Sequence, residues 1–128
     1  MMHALSLTLD SITCHGTSET RGGGDDVYII FQVDAGFPIR YPGIGKHHSM
    51  TDNDNKNATW NINKTLHFER DLLITLYDQD PNYINALSEY LVSHDYQPNF
   101  TSGAITLTNP NGAKYTLNVT RNSTGQEG

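Results

Sequence analysis

Two aspartates, Asp78 and Asp80, lie two residues apart directly after an apolar, strand-like segment. On an extended backbone, residues at this spacing point to the same side, so the two carboxylates face one region. Like charges held this close need a cation or a set of hydrogen-bond donors. Ca²⁺ takes about six to eight oxygen ligands of this kind. The pair is therefore a candidate for a metal site.

The segment that leads to this pair alternates apolar and polar residues. In TWNINKTLHFERDLLITLYDQD, residues 59–80, apolar side chains occur at every second position on both sides of a break at 69–71. A period of two is typical of strands with one buried and one wet face. We expect two strands that pair with each other. Trp60 should lie in the core.

Further strands are predicted on both sides of this segment. The clearest signal is a hairpin around Asn111-Gly112. Residues 34–45, with two prolines and three glycines, read as an irregular crossover. The other predicted strands are Leu5–Ile12, Val27–Val33, a short edge strand near Lys46–Met50, Leu87–Val92, and the hairpin strands Ala104–Thr108 and Tyr115–Val119.

About eight short strands, with no amphipathic helix, predict an all-β antiparallel sandwich or barrel. A chain of 128 residues fits one domain. We place that domain at residues 1–120 and expect a flexible tail at 121–128. The predicted core comprises Leu7, Leu9, Ile29, Phe31, Trp60, Leu66, Phe68, Ile74, Leu76, Ile105 and Leu117.

If the strands alternate up and down, three loops leave the sandwich at the same end. These loops span residues 14–26, 51–58 and 78–86, and all are acidic or rich in asparagine. Convergence of like charges is unfavourable unless a cation lies among them. The candidate ligands are Glu19, Asp25, Asp26, Asp52, Asp54, Asp78, Asp80, Asn82 and Asn85, and the cation that suits them is calcium.

Composition narrows the class of protein. The net charge is −6, from 8 basic and 14 acidic residues, which disfavours nucleic acid as a partner. The single cysteine, Cys14, cannot form an internal disulfide, and no apolar run has the length of a membrane helix. The N-terminus reads as a strand and not as a secretory signal, which favours a cytoplasmic protein. Chance explains the five Asn-x-Ser/Thr sequons better than glycosylation does.

Three blocks of the sequence resemble C2 domains. Gly24-Asp25-Asp26-Val27-Tyr28-Ile29 is similar to the family's G-S-D-P-Y-V segment. Ala58-Thr59-Trp60-Asn61 with Leu66-His67-Phe68 is similar to N-P-x-W-N-E-x-F-x-F, and residues 73–80, LITLYDQD, are similar to L-x-V-x-V-x-D-x-D. The blocks occur in the family's order. They cover roughly residues 4–92.

The resemblance implies an eight-stranded antiparallel sandwich of the family's second topology. It also implies three loops that bind calcium and dock on anionic phospholipid. By the same resemblance, Asp26, Asp78 and Asp80 fall on acidic ligand positions. Thr20 and Ala86 stand where the family has further acids, although Glu19 and Asn85 are their neighbours.

Other interpretations stay open beside this one. Asp26 and Asp78 could each accept backbone N–H bonds as turn caps. His47 and His48 fit a solvated edge better than a metal site. Cys14 and His15 face opposite ways on a strand, and the absence of an oriented nucleophile argues against an enzyme.

At the tip of the third loop, Tyr83 and Ile84 are the expected membrane contacts, or they fold back onto the sandwich. The leading function is calcium-dependent membrane binding. The alternatives are a calcium-binding protein without a membrane role and a metal-free module for protein interaction or assembly. The sequence does not give the oligomeric state.

Overall fold

The computed structural model describes residues 4–18, 24–52, 58–79 and 89–124. They contain no helix, and hence none long and apolar enough to cross a membrane. The strands are β1 (Ala4–Gly16), β2 (Asp25–Val33), β3 (Pro38–Tyr41), β4 (His48–Met50), β5 (Thr59–His67), β6 (Leu72–Asp78), β7 (Glu89–Tyr96), β8 (Gly103–Thr108) and β9 (Lys114–Thr124).

These strands form two antiparallel sheets. Sheet I has the order β5-β1-β9-β8, and sheet II has the order β3-β2-β6-β7 with β4 also paired to β2. The predicted all-β sandwich is therefore confirmed, with nine strands in place of eight. The additional strand arises because residues 42–47 separate β3 from β4 along the edge of sheet II. The first and last strands, β1 and β9, are neighbours in sheet I.

The core lies between the sheets and follows the period of two. On β2, Val27, Ile29 and Phe31 are fully buried, and on β1 Leu7 and Leu9 are as well. The predicted core residues are buried, except that Ile105 is partly buried and packs against the others. The alternation predicted these faces because each strand must turn its apolar side towards the opposite sheet.

The prediction that residues 59–68 and 72–78 form a pair of strands is wrong. β5 pairs with β1 in sheet I, whereas β6 pairs with β2 and β7 in sheet II. The connection between them crosses from one sheet to the other. At its start, Phe68 is buried and donates its N–H to the carbonyl oxygen of Leu5 at 3.1 Å.

The side chain of Asp34 binds the backbone of the connection between β5 and β6. Its carboxylate accepts the backbone N–H groups of Glu69, Arg70 and Asp71 at distances of 2.6–3.1 Å. These bonds lower the pKa of Asp34, led by the one from Arg70. Asp34 itself has a positive φ of 51°. The loop after β2 thus holds the crossover in place.

Three boundaries also differ from the predicted ones. The segment 34–45, expected to be irregular, contains β3, which pairs with β2 from Ile29 to Gln32. β7 runs to Tyr96, although the residues after Val92 were expected to form a loop. β9 extends to Thr124, past the domain boundary placed at residue 120, and residues 125–128 lie outside the described part of the chain.

Trp60 lies between aromatic and imidazole rings at the side of the core. Its side chain is 7% exposed. The ring of His48 stacks on it with centroids 4.6 Å apart, and the ring of Tyr41 stacks on it at 5.8 Å. Burial lowers the pKa of His48, and the neighbouring His47 lowers it further. Trp60 therefore joins β5 of sheet I to the β3–β4 edge of sheet II.

We expect Trp60→Ala to lower the free energy of unfolding by about 3–5 kcal/mol, because it leaves a cavity and removes both stacking contacts. Urea unfolding measures this loss. Asn61→Ala, at the exposed neighbouring position, is the control and should change stability by less than about 0.5 kcal/mol. Equal effects of the two substitutions would contradict the buried position of Trp60.

Candidate functional site

The strand directions bring the flanks of the three predicted loops to one end of the sandwich, which we call the acidic end. β1 ends there and β2 begins there. β4 and β6 also end there, next to β2: Met50 lies opposite Asp25, and Asp78 lies opposite Val27. The carboxylates of Asp25, Asp26 and Asp78 therefore come from two neighbouring strands of sheet II.

Asp25 points into the protein and is fully buried. Its Oδ1 accepts the hydroxyl of Ser18 at 2.8 Å and the N–H of the same residue at 3.1 Å, while its Oδ2 accepts the hydroxyl of Tyr115 at 2.5 Å. Burial raises the pKa of Asp25, and the donated hydrogen bonds oppose that rise. Both oxygens are thus used inside the protein, which gives Asp25 a structural role.

Cys14 belongs to the same buried cluster. Burial raises the pKa of its thiol to about 11, and Sγ lies 3.5 Å from the carbonyl oxygen of Gly16. His15 lies on the other face of β1, where its Nε2 is 2.8 Å from the hydroxyl of Thr116. The thiol and the imidazole therefore do not face each other, and the thiol is poorly ionised at neutral pH.

Asp78 uses one carboxylate oxygen to hold the adjacent strand. Its Oδ1 accepts the backbone N–H of Asp26 at 2.7 Å, and its Oδ2 is 3.5 Å from the hydroxyl of Ser18. The residue is 8% exposed. This is the N–H-accepting role that was weighed against metal binding for Asp78.

Asp26 is the most accessible of the three carboxylates. Its side chain is 27% exposed, and its Oδ1 accepts the hydroxyl of Ser49 at 3.0 Å and lies 3.6 Å from Nε2 of His47. His47 and His48 thus point in different directions, His47 towards Asp26 and His48 onto Trp60. Across the four described ranges, no three His, Cys, Asp or Glu side chains form a group that could hold a metal ion.

Several predicted site residues are not described by the structure. Asp52 lies just before the gap at 53–57 and is exposed. The predicted site residues that the structure does not describe are Glu19, Asp54, Asp80, Asn82, Asn85, Tyr83 and Ile84. Their roles stay predictions.

Sequence reasoning missed the donors Ser18, Ser49 and Tyr115. For Tyr115 a signal was present, since a tyrosine on the buried face of a strand needs a partner for its hydroxyl. The two serines follow no comparable pattern. Sequence reasoning also missed Arg40, whose guanidinium lies 3.5 Å from the ring centroid of Tyr28 and donates to the side-chain oxygen of Gln79, the residue between Asp78 and Asp80.

This architecture matches solved structures. The chain resembles a C2 domain, domain A, of a plant Extended Synaptotagmin 1, with a TM-score of 0.58 and 12% identity over 97% of each chain. A second structure of a C2 domain matches with a TM-score of 0.51 and 15% identity over 94% of this chain and 98% of the other. The chain has the fold of a C2 domain.

Another match is to human GIVD cytosolic phospholipase A2, solved with an inhibitor and terbium chloride, at a TM-score of 0.55 and 13% identity. It covers 96% of this chain but 17% of the phospholipase. No family model and no curated protein matches the sequence. At these identities the comparisons establish the C2 fold of the chain.

The buried carboxylate of this C2 fold makes stability depend on pH. Because the pKa of Asp25 is raised above 3.8, the folded state binds the proton more tightly than the unfolded chain. The resulting stabilisation is present at low pH and is lost as the pH rises from about 3.8 through the raised pKa. We expect the stability of the wild type relative to Asp25→Asn to fall over this window, as measured by urea unfolding at several pH values.

Tyr115→Phe provides a second test. It removes a donor that lowers the pKa of Asp25, so the loss of stability should be larger at neutral pH than near pH 3. If the effects of Asp25→Asn and Tyr115→Phe on the free energy of unfolding both stayed constant across this pH range, the carboxylate of Asp25 would not be buried and hydrogen-bonded as described.

Proposed function

We propose that the protein is a peripheral membrane-binding module that docks through the acidic end on anionic phospholipid, with calcium as the bridging ion. The observation that carries this proposal is the register of β2 and β6, which sets Asp78 beside Asp26, so that the backbone N–H of Asp26 donates to Oδ1 of Asp78 at 2.7 Å. Two carboxylates from different strands are thereby held at one end of the sandwich. The similarity of the fold to C2 domains supports the same interpretation.

The donors at this end fit a hard cation. Asp26 is partly exposed, and its partners are a serine hydroxyl and an imidazole, which an ion can displace. Asp78 would contribute Oδ2, the oxygen that does not accept the N–H of Asp26. We propose Asp80, Glu19 and Asn85 as further ligands and leave Asp25 out of the set, because donors from Ser18 and Tyr115 occupy both of its oxygens.

Calcium at this end would neutralise the carboxylates and contact lipid phosphate. Without it, an acidic protein surface is repelled by an anionic membrane. Tyr83 and Ile84 follow Asp80 in the third loop, and we propose that they enter the interfacial region of the bilayer. The protein would then be cytoplasmic and would associate peripherally with membranes when calcium is bound.

A metal-free interaction module is the second candidate, and a specific observation favours it. Asp25 and Asp78 already accept hydrogen bonds from Tyr115, Ser18 and the backbone of Asp26. Carboxylates satisfied in this way are stable without a cation. The two candidates differ in whether calcium changes the stability of the protein.

We expect Ca²⁺ to raise the melting temperature by several degrees when present at about 100 times its dissociation constant, because a ligand bound by the native state alone then adds about 2.7 kcal/mol. Mg²⁺ should act more weakly, because it requires a smaller octahedral shell. Since the set of acids is incomplete, the titration by differential scanning calorimetry should extend to about 10 mM.

The double variant Asp26→Asn with Asp80→Asn should abolish this shift in melting temperature. The single variant Asp10→Asn is the matched control and should retain it. Asp10 lies on β1, where its Oδ2 accepts the hydroxyl of Thr120, remote from the acidic end. No shift in the wild type, or a shift that survives in the double variant, would favour the metal-free module.

Membrane binding is tested by co-sedimentation with vesicles. We expect binding to vesicles that contain phosphatidylserine when Ca²⁺ is present, and little binding with a chelator or with phosphatidylcholine alone. Ile84→Ser should weaken binding. Phe37→Ser is the control, since Phe37 is 93% exposed in the loop at the opposite end of the sandwich. A calcium-dependent melting shift without sedimentation would indicate a calcium-binding protein with no membrane role.

A further inference from the structure

A sandwich leaves edge strands whose outward N–H and C=O groups have no partner strand. Proteins protect such edges with charged residues, prolines, bulges or very short strands. Within the described strands, sheet I has the edges β5 and β8, and sheet II has β7 on one side and β3 with β4 on the other.

Most of these edges carry a protective feature. β5 contains Lys64 and, next to it, Asn63 with a positive φ of 55°, at an irregularity in its pairing with β1. β3 has four residues, including Pro38, and β4 has three. β7 begins with Glu89 and contains Asp95. Each feature interferes with the addition of a further strand.

β8 differs from the other edges. Its six residues, GAITLT, include neither a charged residue nor a proline. It pairs with β9 without a register shift, from Gly103 opposite Val119 to Thr108 opposite Lys114. Gly103, at its start, has a positive φ of 144°, but from Ala104 to Thr108 the strand is uncharged, keeps its register and is long enough to accept a partner strand.

A cavity of about 290 Å³ lies next to this edge. Its walls include Gly103, Ala104 and Ile105 of β8 and His94 and Tyr96 of β7, so it lies where these two edge strands approach each other, at the seam between the two sheets. A strand added to β8 would cover the seam. In recognition by strand addition, backbone hydrogen bonds provide affinity and a neighbouring pocket receives a side chain.

We propose that β8 pairs antiparallel with β8 of a second copy of this chain, which joins two four-stranded sheets into one continuous sheet of a homodimer. A twofold axis at Thr106 sets each Thr106 opposite its symmetry mate. It also sets Ile105 opposite Leu107 of the partner subunit, on the side of the sheet that faces the cavity.

The sequence of β8 supports a copy of itself as the occupant. Ile105 and Leu107 are partly buried against the core, while Thr106 faces outwards. Self-pairing therefore matches apolar with apolar and hydroxyl with hydroxyl side chains. Each chain has a net charge of −6, but no charged residue lies on β8. Self-pairing therefore places no like charges opposite each other within the paired strands. A symmetric contact also covers both exposed edges at once.

Self-association is measured by sedimentation velocity and light scattering from micromolar to about 1 mM protein. We expect a concentration-dependent dimer. Thr106→Lys should raise the dimer dissociation constant by at least about tenfold, because two like charges would face each other across the axis.

Thr65→Lys is a matched control. Thr65 is also an exposed threonine on an edge strand of sheet I and also bonds a threonine of the neighbouring strand, Thr8 at 2.6 Å, as Thr106 bonds Thr116 at 2.7 Å. This variant should dimerise like the wild type. A wild type that stays monomeric up to about 1 mM would overturn the proposal, as would equal effects of the two lysines.

Cross-linking tests the register independently. Facing residues of an antiparallel pair have Cα atoms about 4.5–5.5 Å apart, within the range that a disulfide spans. With diamide as oxidant, two thiols of Thr106→Cys give one disulfide, and their two hydrogens reduce the diamide. Cys14 does not compete, because it is buried and the pKa of its thiol is about 11.

We expect rapid formation of a covalent dimer by Thr106→Cys and slow formation by Thr65→Cys. Cysteine is close to threonine in size, so both variants should keep the far-UV circular dichroism spectrum of the wild type. Equal cross-linking rates, or a dimer that forms while Thr106→Cys does not cross-link, would place the interface elsewhere and overturn the proposal.

Discussion

Burial of one face of each sheet against the other is the interaction on which the rest of the structure depends. Fully buried side chains come from both sheets, among them Leu7 and Leu9 in sheet I and Ile29, Phe31 and Leu76 in sheet II. Because side chains alternate along a strand, a slip of one residue in any pairing would turn an apolar row to solvent. The apolar layer therefore fixes the register, and the register fixes which polar residues meet at the ends.

The consequences are clearest at the acidic end. With β2 and β6 held in register, Asp78 lies beside the backbone N–H of Asp26. The preceding residue, Asp25, points the other way and reaches Tyr115 of sheet I. Two consecutive aspartates thus have different surroundings, one buried with three donor groups and one partly exposed. This difference follows from the alternation of the strand and not from the chemistry of the residues.

The same geometry limits what the acidic end can do. Asp25 connects the two sheets near the base of the loops, and burial with few donors would make such a carboxylate costly. Ser18 and Tyr115 offset that cost. The exposed Asp26 has weaker partners, a hydroxyl and an imidazole. Asp26 is therefore the accessible carboxylate of this end, while Asp25 maintains the position of β2.

The sequence by itself determined the fold class, most of the core and the location of the acids at strand ends. Period two in residues 59–78 is a local property of the chain, and it correctly identified β5 and β6 as strands with Trp60 and Leu76 inside. The resemblance of three short blocks to C2 domains pointed to the same sandwich. These conclusions need no knowledge of which strands are neighbours.

The tertiary structure alone decided the pairing. β5 and β6 follow each other in the chain but lie in different sheets, and Asp34, from the loop after β2, binds the crossover between them. The role of Asp25 was decided in the same way, by a tyrosine hydroxyl 90 residues further along the chain. Local alternation shows that a strand has two faces. Which strand or side chain then meets each face depends on contacts between distant segments, and these form only when the apolar layer closes.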